Sequence, residues 1–361
     1  MRPLLLRGEK KPQQEQERGT LAIFHLAMKA FGRKAGRSAV AAAAYRAGVC
    51  LVDERSGVVH DYSRKRCEAS GVVLPGGGTA DRSALWNAIE KHHRRGDAVT
   101  AREIEVSLPH ELSRAGMQRL AAAYARELAD RYGVAVDFAI HAPSRKRGPV
   151  ELDEDGPDHR NWHVHILLSA CAVSGDGQLG KKVEALDPIA CSRAKGGPKP
   201  PPADFERPRW AELANTALAA EGRRERIDHR SLSAQREAVL NVIEAAAEQG
   251  LEIRPALLDR AASLHREPGM HLGPARWAAR RRPSDEAPEK VEREAQIWAG
   301  NASNIQAARH QLQAWWEELW AWWKARRVSE QGAEDRQGYE PDLGPARSGS
   351  GSGGPLPGMG M

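Results

Sequence analysis

The segment NWHVHILLSA, residues 161–170, indicates how this protein is built. It is short and apolar, as buried strands are, and a single residue separates its two histidines, His163 and His165. Because successive side chains of a strand point to opposite faces, both imidazoles lie on the same face, about 6–7 Å apart along the backbone. Imidazole nitrogens are common metal ligands, so the segment predicts a sheet that carries a metal site.

A third histidine, His141, ends the earlier apolar segment FAIH. If the two strands are neighbours, His141 completes a three-histidine site, and such a site leaves coordination positions open, as catalytic metal sites do. An alternative stays open, since a chain with 13 histidines also produces an H-x-H pair by chance. The residue two beyond His165 is Leu167, which argues against metallo-hydrolases of the H-x-H-x-D type.

The segment AREIEVSLP alternates as a strand. Alternation places Glu103 and Glu105 on one side and Ile104 and Val106 on the other. A carboxylate beside a metal site can orient a histidine ligand, whereas strand carboxylates at a surface are usually only solvated.

A helix that ends near a tyrosine is expected further towards the N-terminus. Ser38 precedes AVAAAAYRA and Gly48 follows it, which is the usual order of an N-cap, a helix and a C-terminal glycine. Tyr45 is the only bulky side chain of this helix, and packing is one explanation for it.

Strands and helices intermix along the chain, which favours an α/β or α+β fold built on a sheet. The basic segment GRKAGR (residues 32–37) and the Gly/Pro/Lys-rich stretch from VSGDGQLGKK onward are expected to be loops. The other expected elements are a buried strand around Ile23 and Phe24, a hairpin in VCLVDERSGVVHDY, helices from Asp81 and Ser113, and a helix from Arg209 to about Glu221.

Charge and composition restrict the class of protein. The formal charge of +6 suits a polyanionic partner such as nucleic acid, although basic charge alone does not establish one. The four cysteines lie far apart, which excludes a zinc knuckle and a disulfide framework and fits a reducing cytoplasm. No stretch approaches the roughly 20 apolar residues of a membrane span, and the three-leucine run near the N-terminus is too short for a signal peptide.

Four regions are expected along the 361 residues: a flexible leader (1–20), a catalytic domain (21–230), a mostly helical region (231–343) and a disordered Gly/Ser/Pro tail (344–361). In the helical region, QLQAWWEELWAWWKARR predicts an amphipathic helix with Leu312, Trp316, Leu319 and Trp323 at near-heptad spacing. Packing within its own domain, docking of a partner or second copy, and a membrane-surface role are all compatible with this helix.

The order of the motifs resembles the MobA/MobL family of plasmid mobilisation relaxases over about residues 21–277. The motifs that carry the resemblance are AIFHLAMK, GRSAVAAAAYRAG, DERSGVVHDYSRK, DRSALWNAIE, AREIEVSLPHEL, FAIHAP, NWHVHILLSA, RIDHRSLSAQ and PGMHLGP. The resemblance implies an α+β fold of the HUH endonuclease type, in which helices flank a palm-like antiparallel sheet and a helical C-terminal region follows.

The resemblance also implies a site. It assigns the nucleophile to Tyr45, with Tyr62 of HDYSRK as the fallback, and the metal ligands to His141, His163 and His165. Glu103 and Glu105 match the family's Glu-x-Glu, one of which supports the site. The implied cofactor is a divalent metal ion, Mn²⁺ or Mg²⁺, with Zn²⁺ as an alternative.

The implied activity is nicking of one DNA strand at an origin of transfer, with a 5′-phosphotyrosyl link to the protein. Implied partners are single-stranded DNA, auxiliary mobilisation proteins, and the coupling protein and type IV secretion channel of a helper conjugative system. The basic side chains expected to hold the DNA backbone are Arg33, Lys34, Arg37, Lys195 and Lys199.

Two departures from the family pattern concern the leader and one strand position. Members begin almost at the AIFHL segment, so the leader is extra, and Trp162 stands where members often have proline. Two other functions stay open: a rolling-circle replication initiator or hydrolytic nuclease that uses the same histidines, and a DNA-binding accessory protein without catalysis.

Overall fold

The structure is a computed structural model that describes residues 22–143, 161–268 and 289–337. The chain divides into two compact units, residues 1–229 and 230–361. The expected leader (1–20) and tail (344–361) lie outside the described residues, as does most of the PGMHLGP motif. The functional domain limits given above stay predictions.

A five-stranded antiparallel sheet forms the centre of the first unit. Its order is β1-β5-β7-β6-β4, so strands that are distant in sequence become neighbours. Their bounds are β1 Leu26–Gly32, β4 Ala69–Val73, β5 Val99–Ser107, β6 Val136–His141 and β7 His163–Ser169. Two hairpins are the other strand pairs in the described part of this unit: β2 Cys50–Asp53 with β3 Val58–Asp61, and β8 Cys171–Val173 with β9 Leu179–Lys182.

Helices cover both faces of the sheet. The helices of this unit are α1 Ala39–Ala47, α2 Arg82–His92, α3 Arg114–Tyr132, α4 Pro188–Ser192 and α5 Pro202–Ala220. On one face, Ile104, Val164 and Ile166 pack with α3 and α5 in an apolar core. On the other face, Ala101 and Leu167 pack with α1 and α2. The predicted α+β fold, a palm-like antiparallel sheet with flanking helices, is confirmed.

Helix α1 is fixed at both ends by the residues that the sequence indicated. The Ser38 hydroxyl accepts a hydrogen bond from the Ala41 amide at the N-cap. Gly48 ends the helix at φ 66°, and a Cβ there would lie 2.4 Å from the Lys65 carbonyl oxygen. Glycine is therefore required for both conformation and space, and its close contact holds the segment around Lys65 against the end of α1.

The prediction of a buried strand at Ile23 and Phe24 is wrong. The strand begins at Leu26, and Ile23 is 46% exposed. The reason is that residues 22–25 are bonded outside a strand ladder: the Ala22 amide donates to the Arg226 carbonyl (2.9 Å), and the His25 amide donates to the Ser107 hydroxyl (2.9 Å).

The predicted start of the late helix is also wrong, because α5 begins at Pro202 rather than Arg209. A proline at the first helical position loses no hydrogen bond. The additional turns are anchored by Glu206, a buried carboxylate that accepts hydrogen bonds from the hydroxyls of Tyr124 (2.8 Å) and Tyr132 (2.6 Å). The stretch VSGDGQLGKK, expected to be a loop, forms the β8–β9 turn and strand β9.

The second unit is helical, as predicted. It contains α6 Leu232–Glu248, α7 Pro255–Ser263 and α8 Glu289–Gln337. Leu312 and Leu319 of α8 are buried, while Trp316 and Trp323 are half-buried. The rings of Trp316, Trp320 and Trp323 stack in a row, with centroids 5.4 and 5.1 Å apart. None of the helices in the described ranges is both long and apolar enough to cross a membrane.

Candidate metal and nucleophile site

Three histidines meet at one end of β6 and β7, which are neighbours in the sheet. His141 lies directly opposite His163 in the register, and His165 follows two residues along β7 on the same face. Their ring centroids are 4.8–5.4 Å apart. One nitrogen from each ring can be chosen so that all three lie within 4.8 Å of one another. The structure thus brings together the three residues that the sequence suggested.

Each of these imidazoles has one nitrogen bonded to an oxygen that only accepts hydrogen bonds. His141 Nε2 donates to the Arg46 carbonyl (2.7 Å), and His163 Nδ1 donates to the Asn161 carbonyl (3.1 Å). His165 Nδ1 donates to Oε1 of Glu103 (2.7 Å). Since the bonded nitrogen must carry the hydrogen, the other nitrogen of each neutral ring has a free lone pair. This is the arrangement in which histidines bind metals.

Burial favours the neutral form of two of the rings. It lowers the pKa of His141 to about 4, and it lowers the pKa of His163 as well. These imidazoles are therefore neutral at physiological pH, which is the form that coordinates a metal.

The donor set fits a divalent cation. Around an ion with bonds of about 2.1 Å, ligand nitrogens are roughly 3–3.5 Å apart, so three rings with nitrogens within 4.8 Å of one another must move closer together to hold one ion. Three neutral nitrogens leave positions open for oxygen ligands, as Mn²⁺ and Mg²⁺ require, and also suit Zn²⁺.

Glu103 links this cluster to the end of α1. Its carboxylate accepts hydrogen bonds from His165 and from Nε of Arg46, and the Arg46–Glu103 pair is almost fully buried. Burial acts to raise the pKa of Glu103, but the hydrogen bonds from His165 and Arg46 outweigh it and lower the pKa to about 2. The group is a carboxylate throughout the physiological range and orients the His165 ring.

Glu105 lies opposite His165 in the register but has a different partner. Its Oε2 atom accepts a hydrogen bond from Nζ of Lys29 (2.5 Å). Burial opposes ionisation of this group, yet the Lys29 bond and the charge of the surroundings lower its pKa. Of the two carboxylates of Glu-x-Glu, Glu103 is the one hydrogen-bonded to a histidine of the cluster.

Tyr45 lies at the surface near this cluster, with 45% of the residue exposed. Packing in the core, which the sequence left open, therefore does not explain it. The next residue, Arg46, contacts both His141 and Glu103, so the end of α1 that carries the phenol is joined to the histidine cluster. The ring of Tyr62 meets that of Tyr45 edge to face, with centroids 5.1 Å apart.

Lys65 holds the Tyr45 ring from one side. Its Nζ atom lies 3.3 Å from the ring centroid and donates a hydrogen bond to the Tyr45 carbonyl (3.0 Å). Desolvation and the nearby Arg46 charge lower the pKa of Lys65 to about 8. At neutral pH an ammonium group therefore lies on the face of the exposed phenol.

The basic residues expected to contact DNA do not form one group. The Arg33 guanidinium is used internally, by Glu90 (2.8 Å) and by the carbonyls of Glu90, His93 and Arg95. Arg37 donates to the Ala30 carbonyl (3.1 Å) and lies over the Phe31 ring. Lys34, Lys195 and Lys199 are exposed. A DNA contact by any of the five stays a prediction.

Sequence reasoning did not single out Arg46 and Lys65. Both residues belong to motifs that carry the family resemblance: Arg46 is adjacent to the candidate nucleophile, and Lys65 follows Tyr62 within HDYSRK. Their contacts span 57 and 20 residues of sequence, which no local pattern indicates.

Trp162, where family members often have proline, packs on the opposite side of the sheet from the histidines. It is half-buried against the apolar core under α3, and Arg114 lies over its ring. Its carbonyl accepts a hydrogen bond from the Leu108 amide (2.8 Å). The Trp162 side chain therefore does not contact the histidine cluster.

Residues 37–246 match the MobA/MobL family, so the chain belongs to that family of mobilisation proteins. This confirms the resemblance that the motifs indicated. Mobilization protein MobL of Acidithiobacillus ferridurans is 48% identical over 289 residues, which cover 76% of this chain and 68% of that protein. The probable mobilization protein MobA of Bifidobacterium longum (strain NCC 2705) is 34% identical over 153 residues, which cover 41% of this chain but only 25% of that protein.

Solved structures with a similar fold include relaxases. A structure on the molecular basis of vancomycin resistance transfer in Staphylococcus aureus is 26% identical, covers 58% of this chain and 100% of its own, and has a TM-score of 0.47. The conjugative relaxase TrwC in complex with oriT DNA, in a metal-bound structure, is 14% identical, covers 82% of this chain and 98% of its own, and has a TM-score of 0.30. With TM-scores below 0.5, these likenesses transfer no site to this chain.

Proposed function

We propose that this protein is a plasmid mobilisation relaxase that nicks one DNA strand at an origin of transfer by transesterification. The observation that carries the proposal is the combination of a three-histidine cluster and an exposed tyrosine whose neighbour, Arg46, contacts that cluster. Membership of the MobA/MobL family supports DNA as the substrate in this proposal.

In the proposed reaction, the Tyr45 oxygen attacks the scissile phosphorus and releases its proton to solvent, from which the leaving oxygen takes one up. The bond from phosphorus to the 3′ oxygen breaks, and that oxygen leaves as a 3′-hydroxyl. The product is a 5′-phosphotyrosyl link, which conserves the phosphodiester bond energy and can later be attacked by a 3′-hydroxyl to reclose the strand.

The residues of the chain divide this work. Lys65 fixes the phenol and favours negative charge that develops on its oxygen, since a desolvated ammonium is an effective counter-charge. Glu103, Arg46 and the Asn161 carbonyl orient the histidines. A divalent cation held by His141, His163 and His165 would polarise the scissile phosphate as a Lewis acid.

The partners belong to the same proposal. They are single-stranded DNA at the origin of transfer, auxiliary mobilisation proteins, and the coupling protein and type IV secretion channel of a helper conjugative system, all met in the bacterial cytoplasm.

The test is formation of a covalent adduct. The protein is incubated with labelled single-stranded DNA that contains the origin of transfer of its replicon, in Mn²⁺ or Mg²⁺, and denatured before electrophoresis. A band of protein joined to DNA is expected, and Tyr45→Phe and EDTA should each abolish it. Tyr62→Phe is the matched control, because Tyr62 lies beside Tyr45 but is not expected to attack.

Other results identify the other functions. Cleavage without an adduct, unaffected by Tyr45→Phe, would indicate a hydrolytic nuclease. An adduct that only Tyr62→Phe abolishes would move the nucleophile to Tyr62. Binding of the correct origin without cleavage would indicate a DNA-binding accessory protein.

A further inference from the structure

A basic cavity lies beside the N-terminal end of α1, at the opposite end of that helix from Tyr45. Its volume is about 500 Å³. Three segments form it: the turn before α1, the β2–β3 hairpin, and the loop between α2 and β5. The charged and titratable side chains that line it are Arg33, Arg37, Asp53, Arg55, His60 and Arg94.

Positive charge exceeds negative charge here. Four guanidinium groups face two carboxylates, those of Asp53 in the lining and Glu90 behind it. Asp53 is occupied by the Ser38 hydroxyl (2.7 Å) and by the amides of Arg55 and Ser56. Glu90 is shared between Arg33 (2.8 Å) and Arg55 (3.6 Å). An excess of about two positive charges therefore has no acidic partner at this site.

Several donors of the cavity are available to a ligand. Arg94 is exposed and has no hydrogen bond or ion pair with the part of the chain that the structure describes. The Arg55 side chain is 44% exposed and its pair with Glu90 is long. Arg37 uses one nitrogen for the Ala30 carbonyl and keeps its other donors. By contrast, the Arg33 guanidinium makes its hydrogen bonds within the protein and is not available to a ligand.

The lining selects an anion with several oxygens. Guanidinium groups bind phosphate oxygens in pairs, and Val58 is the only large apolar side chain in the lining. A Cβ on Gly36 or Gly96, which lie beside the arginines, would meet nothing within 4 Å. The sugar-phosphate backbone of a nucleic acid can therefore approach this part of the cavity. The attraction comes from these side chains, because the first amides of α1 already bond Glu90 and Ser38.

We propose that Arg37, Arg55 and Arg94 bind backbone phosphates of the DNA strand that Tyr45 attacks, at a distance from the nicked bond. This inference rests on the proposed function. Tyr45 follows Ser38 by seven residues, which corresponds to about 10 Å along the helix. Grooves that follow single-stranded DNA contact about 4–16 nucleotides, so one bound strand is long enough to reach both Tyr45 and the cavity.

The experiment compares the salt dependence of DNA binding. Binding of a fluorescent single-stranded origin oligonucleotide to the full chain is measured at about 50 to 300 mM salt for the wild type and the double variant Arg55→Gln/Arg94→Gln. Loss of two phosphate contacts should weaken binding about tenfold or more at low salt and reduce the slope of log K against log salt by roughly 1.4. Arg37→Gln should reduce the slope by roughly a further 0.7.

Arg119→Gln is the matched control, since this exposed arginine lies on α3, the helix on the other face of the sheet, and pairs with Glu221. It should change the slope by much less than the double variant does. Thermal unfolding confirms that each variant is folded. An unchanged slope in the folded double variant would overturn the inference, as would a loss of affinity of the same size at every salt concentration.

The covalent adduct assay distinguishes this result from failure of the proposed function. If the wild type forms the Tyr45 adduct and the double variant binds as the wild type does, only the phosphate cavity is refuted. If the wild type forms no adduct on its correct origin, the relaxase proposal fails, and the inference about the attacked strand fails with it.

Discussion

The two faces of the central sheet use the same strands for different purposes. Under α3 and α5, residues such as Ile104 and Ile166 are fully buried among apolar neighbours. On the opposite face, Leu167 is equally buried under α1 and α2, but one step along β7 that face carries His165, bonded to Glu103. Along β7, this face changes from an apolar to a polar side chain within two residues.

The comparison shows what allows charge at low exposure. Glu103 is only 1% exposed, yet its carboxylate is hydrogen-bonded by His165 and Arg46. A buried ion without such partners would cost several kcal/mol. The polar end of the sheet is therefore a connected network, and removing one member should change chemistry there, while removing an apolar side chain from the other face should change stability.

Removal of a histidine should produce the largest effect. We expect His165→Ala to reduce the rate of Mn²⁺-dependent adduct formation on the order of a thousandfold, because it removes both a nitrogen donor and the partner of Glu103. Mn²⁺ binding followed by electron paramagnetic resonance should weaken in parallel. His110→Ala, a change at a histidine that pairs with Glu111 outside this cluster, is the control. Full Mn²⁺ affinity in His165→Ala would contradict the assignment.

The adjacent residue tests the other face. Ile166 is fully buried, so Ile166→Ala should lower the free energy of unfolding by about 2–5 kcal/mol through lost burial and a cavity. Urea unfolding at neutral pH measures this, with Val59→Ala at a 59% exposed position as the control. The Mn²⁺ affinity of folded Ile166→Ala should stay close to that of the wild type. A large loss of metal affinity would show that the two faces are not separable.

Alternation in the sequence predicted the two faces because it depends only on strand geometry. His163 and His165 on one side, and Glu103 opposite Ile104, follow from a period of two. The sequence left open whether β6 and β7 pair, which is what brings His141 opposite His163. It also missed Arg46 and Lys65, whose contacts depend on how α1 and the segment after β3 pack.

The errors in the fold have the same origin. The apolar run at Ile23 and Phe24 satisfies the composition of a strand, but the flanking amides of Ala22 and His25 bond to the Arg226 carbonyl and the Ser107 hydroxyl. The proline-rich start of α5 resembles a loop until Glu206 meets the hydroxyls of Tyr124 and Tyr132. In both cases tertiary contacts override the local preference, and those contacts are not visible in a short window of sequence.

The charge on Glu103 should have a smaller effect than a histidine donor. Glu103→Gln keeps the shape of the side chain and an acceptor for His165 but removes the negative charge. Loss of such an orienting carboxylate weakens metal affinity about 10- to 100-fold. Isothermal titration with Mn²⁺ measures the change, and Glu105→Gln, on the carboxylate paired with Lys29, is the comparison. A larger loss of Mn²⁺ affinity in Glu105→Gln than in Glu103→Gln would show that Glu105, and not Glu103, has the orienting role.

Glu103→Gln should also change how the free energy of unfolding depends on pH in the acid range. Because the pKa of Glu103 is lowered to about 2 from an ordinary 4.5, its ionised form stabilises the fold above pH 4.5, and this contribution is lost as the pH falls from 4.5 towards 2. The difference in unfolding free energy between the wild type and Glu103→Gln should therefore narrow over that range. Urea unfolding at pH 7, 4.5 and 3.5 tests it, and a difference that widens on acidification would contradict the pairing.

The smallest effect is expected at Lys65, which touches the nucleophile rather than the histidines. A cation on an aromatic face contributes about 0.5–2 kcal/mol, so Lys65→Met should slow adduct formation at pH 7 by roughly 2- to 30-fold, and Lys65→Arg should restore much of the rate. Arg64→Met, at the exposed neighbouring position, is the control. Since the pKa of Lys65 is about 8, its charge is lost as the pH rises through that value. The ratio of wild-type to Lys65→Met rates should therefore fall between pH 7 and 9. A ratio that stays constant over this range would mean that Lys65 acts by packing alone. The charged groups on the histidine face of the sheet would then have no counterpart at the Tyr45 phenol.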